Sequence, residues 1–462
     1  MKTYQDLLDV GQNETDRMDF VKKLISNYLN SDFYKTAWTA DMYNKHRNVT
    51  INDYQKLLYT VTGRAVPDNY SANWKMATRF FHRFVLQEAQ YLLGNGVAWQ
   101  DKSTKDKLGA DFDNKLQEAG KKALVGGIAY GFWNLDHMEV FGALEFVPLY
   151  DEEDGALKAG VRFWQIDRTK PLRATLYELD GYTDYIWRPQ EDGKVLRDKT
   201  AYIIDMKVSR ADGMEIYDMR NYDGFPIVPL WGNPEHQSEI VGLREQIDCY
   251  DLVKSGFASD VDDASMIYWT IQNAGGMDDV DLAKFVEHMK TVKAAVIEEE
   301  GAKAEAHTID LPYQSREALL DRISKDLYRD AMALDVDNIA SGAITATQIK
   351  AAYEPLNSKC DDFEYCVREF LNGILALAGI KGENPTFTRS ALVNTSEEIQ
   401  TIVAAATYLD SDYVTEKILS ILGDGDRTDE MLKRMDADDF GRMSGGAEES
   451  PSFNTESRYG RE

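Results

Sequence analysis

Residues 349–377 read IKAAYEPLNSKCDDFEYCVREFLNGILAL, and their spacing decides much of the fold. Ile349, Tyr353, Leu356, Cys360, Phe363, Val367, Phe370, Ile374 and Leu377 alternate steps of four and three. That lays one apolar seam along a helix, of the kind helices present to other helices. Thr345 and Gln348 stand three apart where the seam begins, the spacing of an N-terminal capping box. Pro355 falls inside the pattern. A proline there removes a backbone donor and crowds the preceding turn, so a kink is predicted. Just ahead, Asp337-Asn338-Ile339-Ala340-Ser341-Gly342-Ala343 separates this helix from another, on which Leu319, Ile323, Leu327, Ala331 and Leu334 share a face behind Pro312.

Further back, Ile240, Leu243, Ile247, Tyr250, Phe257 and Val261 mark a helix that opens at Ser238 or Glu239 and ends near Asp263. Between these two helices lies a small insert, read as strand 266–271, helix 281–292 and strand 304–311. Before it, residues 128–231 change texture. Short β-rich runs at 129–135, 143–148, 161–165, 173–178, 183–187, 202–205, 215–219 and 227–231 are punctuated by Asp154-Gly155, Asp180-Gly181, Asp192-Gly193, Asp212-Gly213 and Asp223-Gly224. Asp-Gly pairs supply the positive backbone angles of tight hairpins, so a meandering antiparallel sheet is predicted. The N-terminal part reads as helices at 16–29, 34–44, 73–93 and 112–125. The last two stop at Gly94-Asn95-Gly96 and Gly126-Gly127. After the seam come a strand at 385–393, acidic helices at 396–409, 412–422 and 427–438, and a tail whose Gly, Ser and Glu predict disorder.

Composition bounds the classes. The 462 residues allow two or three domains, and 43% hydrophobic with 28% charged residues is ordinary for a globular chain. No apolar run approaches the roughly 20 residues that span a bilayer, and nothing apolar follows Met1 as a secretory signal would, so no membrane partner is expected. Cys249, Cys360 and Cys366 cannot make a disulfide framework. Cys360 on the seam is expected to be a buried thiol, formed in a reducing cytoplasm. The net charge of −27 opposes salt-dependent DNA binding, which needs Lys and Arg against phosphates. It leaves open a duplex handled without being gripped, and it equally suits plain solubility.

A search for chemistry returns little. There is no Gly-rich phosphate loop with a following Lys-Ser/Thr and no Gly-x-Ser-x-Gly elbow. Gly126-Gly127-Ile128-Ala129-Tyr130-Gly131 has the wrong spacing for a dinucleotide fingerprint and reads as a helix stop entering a strand. His46, His82, His137, His236, His288 and His307 show no ligand spacing. Asp424-Gly425-Asp426 and Asp278-Asp279-Val280-Asp281 continue into no calcium-loop register and read as solvated acidic turns. No cofactor, no metal and no catalytic residue are expected.

The order of these parts resembles the portal proteins of tailed double-stranded DNA bacteriophages, in their siphophage-type branch. Tyr91-Leu92-Leu93-Gly94-Asn95-Gly96-Val97, after Asn73-Trp74-Lys75, is similar to that family's helix-ending segment. The 126–131 stretch is similar to its entry into the sheet. Gln246-Ile247-Asp248-Cys249-Tyr250-Asp251, with Ser255 and residues 260–263, resembles its first stem helix, and Ser341-Gly342-Ala343 its tunnel loop. Each motif is weak alone; their order over almost the whole chain makes the case.

The resemblance implies an α+β portal fold. Residues 1–235 would be an α/β wing, 236–264 and 312–336 the two stem helices, and 265–311 a small α/β clip. Residues 337–346 would be the tunnel loop, 347–395 the long kinked wing helix with its returning strand, 396–440 an α-helical crown, and 441–462 a disordered tail. It implies no enzyme but a ring, usually of twelve subunits in that family, at one capsid vertex. Double-stranded DNA would pass through the ring, and its partners would be the terminase motor, capsid and scaffolding proteins, and a head-completion or adaptor protein. The particle vertex would be its location, after assembly in the host cytoplasm. Asp337, Asn338, Ile339, Ala340, Ser341, Gly342, Ala343, Ile344 and Thr345 would meet the DNA. Glu317, Asp321, Lys325 and Asp326 would line the channel, whose wall is expected to be acidic. Glu298, Glu299 and Glu300 would contact partners at the clip. Helices packed about 8–10 Å apart, a dozen to the ring, leave a bore of about 25 Å, enough for a duplex. The competing readings are a metal- or nucleotide-dependent enzyme in the β-rich region and another head–tail adaptor.

Overall fold

The computed structural model describes residues 2–59, 63–69, 71–208, 215–264, 268–272, 303–307, 313–336, 346–390, 395–422, 428 and 430–434. Helix α1 (Tyr4–Val10) opens on a capping box, Thr3 and Asp6 each accepting from the other's backbone N–H. Asn13 and Ser31 cap α2 (Glu14–Leu29) and α3 (Asp32–Asn44). A single turn, α4 (Val49–Asp53), precedes the ribbon of β1 (Leu57–Tyr59) and β2 (Ala65–Pro67).

The helix expected over 73–93 is shorter: α5 spans Phe80–Leu93. The cause is tertiary. Trp74 N–H donates to Ser259 Oγ at 3.0 Å, Met76 N–H to Ser255 Oγ at 2.9 Å and Thr78 N–H to Asp251 Oδ1 at 3.0 Å. Alternate amides of an extended chain recur about every 6.6 Å. Residues four apart on a helix recur about every 6 Å, so the two ladders match.

β3 (Val97–Ala98) and α6 (Lys102–Leu108) lead to α7 (Phe112–Gly126), which ends as predicted on a left-handed Gly127. The β region is antiparallel throughout its described ladders, but it forms three sheets, not one. β4 (Ile128–Asn134), β5 (His137–Gly142) and the later β13 (Ile227–Trp231) make one, in the order β13-β4-β5. β6 (Phe146–Tyr150), β7 (Leu157–Trp164), β8 (Leu172–Glu178), β9 (Gly181–Trp187) and β10 (Lys194–Thr200) form a five-stranded meander. β11 (Ile203–Val208) and β12 (Glu215–Arg220) pair alone. Sequence reading missed β5 and β10. β5 follows a tight turn with Leu135 at φ +61°, a residue that gives no turn signal. β10 is an edge strand of charged residues, so it shows no apolar alternation.

α8 (Arg244–Ala264) starts later than expected, because residues 239–243 form turns that include Gly242 at φ +85°. β14 (Tyr268–Gln272) and β15 (Lys303–His307) pair as an antiparallel ribbon where the insert's strands were predicted. The insert's helix at 281–292 lies outside the described residues. α9 (Tyr313–Asp330) stops before the predicted 336, with Met332 at φ +52°. The chain there is held by Gln87, whose amide donates to Leu334 O (3.1 Å) and accepts from Leu334 N–H (3.0 Å).

α10 (Ala346–Leu377) carries the seam and runs on through Pro355. From Tyr353 to Ile374 every seam residue is buried. Its partners correct the expectation of helix-on-helix packing. The N-terminal part meets α5, where Tyr353 stacks on Tyr91 with ring centroids 5.6 Å apart. The C-terminal part lies on β13 and β4. At Gly131 a Cβ would stand 2.5 Å from the Phe370 ring, so only glycine admits this approach. The five-stranded sheet buries its face against α2, with Val21, Leu24 and Ile25 packed among Val147, Leu149, Val161 and Leu176. β16 (Thr386–Phe387) pairs with β3 and is shorter than the predicted 385–393.

The chain divides into two units, Met1–Ser390 and Ala391–Glu462. In the second, α11 (Thr395–Ala405), a 3-10 turn and α12 (Ser411–Leu422) fall where acidic helices were expected. Helices and antiparallel sheets kept apart along the chain make the fold α+β.

Candidate functional site

α8 and α9 lie side by side, with Ile247 and Leu327 buried. Arg316 Nη1 meets Asp260 Oδ2 at 2.5 Å, and Gln246 donates to Asp330 at 2.5 Å, fastening both ends of the pair. Of the expected wall residues, Asp321 and Lys325 come together at 2.7 Å. Asp326 pairs instead with Arg322 (2.9 Å) and Arg329 (3.0 Å), and Glu317 is exposed. α9 is thus charge-balanced, with Arg316, Arg322, Lys325 and Arg329 against Glu317, Asp321, Asp326 and Asp330. The acidity sits on α8, whose sequence holds two cations, Arg244 and Lys254, against six carboxylates, Glu245, Asp248, Asp251, Asp260, Asp262 and Asp263. Residues 337–345 (Asp337, Asn338, Ile339, Ala340, Ser341, Gly342, Ala343, Ile344, Thr345) and Glu298, Glu299 and Glu300 lie outside the described residues.

A buried charged junction that sequence reading did not find sits where four segments meet. Lys359 Nζ on α10 is 2.8 Å from Glu88 Oε2 on α5 and 2.6 Å from Glu239 Oε2 in the turns before α8. It also donates to Ala331 O, just past α9, at 3.3 Å. Burial pushes the Glu88 carboxyl up to about 7, against the pull of Lys359 and with Glu239 adding to the rise. The two carboxylates overcome burial at Lys359 and hold its ammonium charged. A cavity of about 510 Å³ opens beside the group, reached also by Asp330 and Asp362. The signal was in the spacing. Lys359 stands three after Leu356 and four before Phe363, and Glu88 stands four from both Phe84 and Leu92. A charge inside an apolar stripe demands a buried partner.

The inner face of α8 carries a second polar group. Asp251, Ser255 and Ser259 are buried acceptors for the 74–78 segment, and Asn48 Nδ2 donates to Asp251 Oδ2 at 2.5 Å. Burial raises the Asp251 carboxyl, opposed by these hydrogen bonds. Next to it Asp248 accepts from Tyr43 OH and, at 2.7 Å, from Thr50 Oγ1. Cys360 and Cys366 are buried, and burial pushes the Cys360 thiol up to about 12; Cys249 is exposed. Among the described residues no group of three or more His, Cys, Asp or Glu gathers to hold a metal, and no described helix is long and apolar enough to cross a membrane. Charge-paired helices and buried polar clamps are the groups that the described residues of this region form.

Comparison with known proteins gives the family. Residues 21–441 match the family described as phage portal protein, SPP1 Gp6-like, and the chain belongs to that family. It is similar to the portal protein of Clostridium phage phiCD119, 23% identical over 380 residues that cover 75% of this chain and 82% of that one. It is also similar to the portal protein of Bacillus phage SPP1, 24% identical over 386 residues, 77% and 75% of the two chains. Among solved structures, a chain in the neck of a native GTA particle computed with C12 symmetry covers 73% of this chain at 12% identity. Its TM-score of 0.41 is too low to bear on this chain's assembly.

Proposed function

We propose that the chain is the subunit of a head–tail connector, a ring at one capsid vertex through which DNA is packaged and ejected. The family match over residues 21–441 is the observation that carries this reading. In it α8 and α9 are the stem, residues 265–311 the clip, 337–346 the tunnel loop, and 396–440 the crown. Terminase and later a head-completion protein dock on the clip, and capsid and scaffolding proteins surround the wing. The subunit contributes no catalytic residue and takes no cofactor. Charge-balanced α9 and acidic α8 suit a wall that a duplex passes without adhering, since nothing on the pair offers phosphates a continuous basic track. Negative-stain imaging and mass measurement of the purified chain test the reading. Rings of about a dozen copies are expected; a strictly monomeric protein at assembly concentrations, or saturable nucleotide hydrolysis, would overturn it.

A further inference from the structure

The cavity between α5, α8 and α9, about 690 Å³, is lined by Arg79, Arg83, Lys254 and Lys325, with Asp321 and Asp335 as its carboxylates. Lys325 is matched by Asp321 at 2.7 Å. Arg79, Arg83 and Lys254 make no ion pair among the described residues. Arg83 donates to the Tyr328 hydroxyl, and Lys254 lies 5.9 Å from the centre of the Tyr250 ring. The first turn of α5 also opens here. Arg79 occupies its cap without a side-chain hydrogen bond, so the amides of that turn add to the positive field. In a chain of net charge −27, a cavity lined by four cations and two carboxylates is a local inversion of sign.

We propose that this cavity is an acceptor site for carboxylates of a second copy of the chain. The inference rests on the ring reading. A ring closed by rotation brings together two different faces of each subunit, so one face must complement the other. With Asp and Glu at 79 against 52 Lys and Arg, a neighbouring copy has carboxylates in excess to offer, and this cavity is their electrostatic complement. Carboxylates suit it better than a duplex does. The cations surround a recess that Asp321 and Asp335 share, whereas a duplex presents evenly spaced phosphates to an open basic track. Phe80, Tyr250 and Tyr328 pack edge to face beneath (centroids 5.1 and 6.1 Å), giving the cations a firm floor.

The experiment mixes unlabelled and ¹⁵N-labelled full-length chains, assembles them, and couples neighbouring amines to carboxylates with a zero-length carbodiimide. Peptide mass spectrometry is expected to find Lys254 joined to an Asp or Glu peptide of the other isotope. Arg79→Glu/Arg83→Glu/Lys254→Glu should raise the concentration needed for ring assembly at least about tenfold. Arg79→Lys/Arg83→Lys/Lys254→Arg, which keeps the charge, should restore it. If the reversed variant loses its cooperative melt, Arg79→Gln/Arg83→Gln/Lys254→Gln takes its place, with the same expectation. Rings that form equally well from folded neutral and reversed variants, with no cross-copy Lys254 peptide, would overturn the inference and leave the ring reading standing. Wild-type chains that never assemble would sink both. Loss of binding to a 20-base-pair duplex, with assembly unchanged, would assign the cavity to nucleic acid and overturn the proposal.

Discussion

Lys359 Nζ stands 2.8 Å from Glu88 Oε2, the glutamate side chain 3% exposed and the lysine 15%. With Glu239 on its other side, the ammonium ties α10, α5 and the entry to α8 to one point. Lys359→Met would leave two carboxylates facing each other without their counter-ion. A loss of about 3 kcal/mol in unfolding free energy is expected at pH 7.5, measured by denaturant titration. Combining Lys359→Met with Glu88→Leu and Glu239→Gln should recover most of it, because no unpaired buried charge remains.

Glu88 also gives a pH signature. Its folded-state value of about 7 lies above the ordinary 4.5, so between these values the folded chain holds a proton that the unfolded chain has lost. The contribution is complete below pH 4.5 and is lost as pH rises to about 7. Glu88→Gln mimics the protonated form. The stability of wild type relative to that variant should therefore fall between pH 5 and 8 by roughly 2–3 kcal/mol. Parallel curves across that range would show that Glu88 titrates normally.

The ladder of Asp251, Ser255 and Ser259 makes its own prediction. Ser255→Ala strips the acceptor from the Met76 amide, 2.9 Å away, at a cost of about 1–2 kcal/mol. Hydrogen exchange at Met76 should accelerate along with Trp74 and Thr78, while α7 amides keep their protection.

Removal of residues 337–346, where DNA contact is proposed, should spare ring assembly and impair packaging or retention of DNA. Packaged-genome yield from complemented infections is the readout, and an unchanged yield removes that role from the segment.

Reversal of Glu298, Glu299 and Glu300 to Lys should weaken docking of an external partner without altering the ring. Pull-down with terminase and with the head-completion protein, alongside imaging of the variant, separates the two effects.

Much of this architecture could be read from spacing. The seam from Ile349 to Leu377, the hairpins at Asp154-Gly155, Asp180-Gly181 and Asp192-Gly193 and the Gly127 helix stop rest on local rules and fall where those rules put them. Asp223-Gly224, in contrast, joins strands of two different sheets, and Asp212-Gly213 lies outside the described residues. Misreadings arose where distant residues overrule local preference. Residues 73–79 have helical periodicity, yet Asp251, Ser255 and Ser259 draw their amides into an extended chain. The seam showed that α10 packs but not against what, because apolar spacing describes one surface and is silent about its partner. Glu88 and Lys359 lay in plain view inside apolar stripes, and only the fold brings them together. The charge balance of α9 was countable in advance, but the −27 of the whole chain obscured it.

Gln87 grips the backbone of Leu334 with both halves of its amide, just after α9 has ended and Met332 has turned the chain. A tug on the segment that follows would therefore be grounded in α5 and the core behind it before it could unwind α9. In the proposed role of residues 337–345, load on that segment would lead sideways through Gln87 into the body of the subunit.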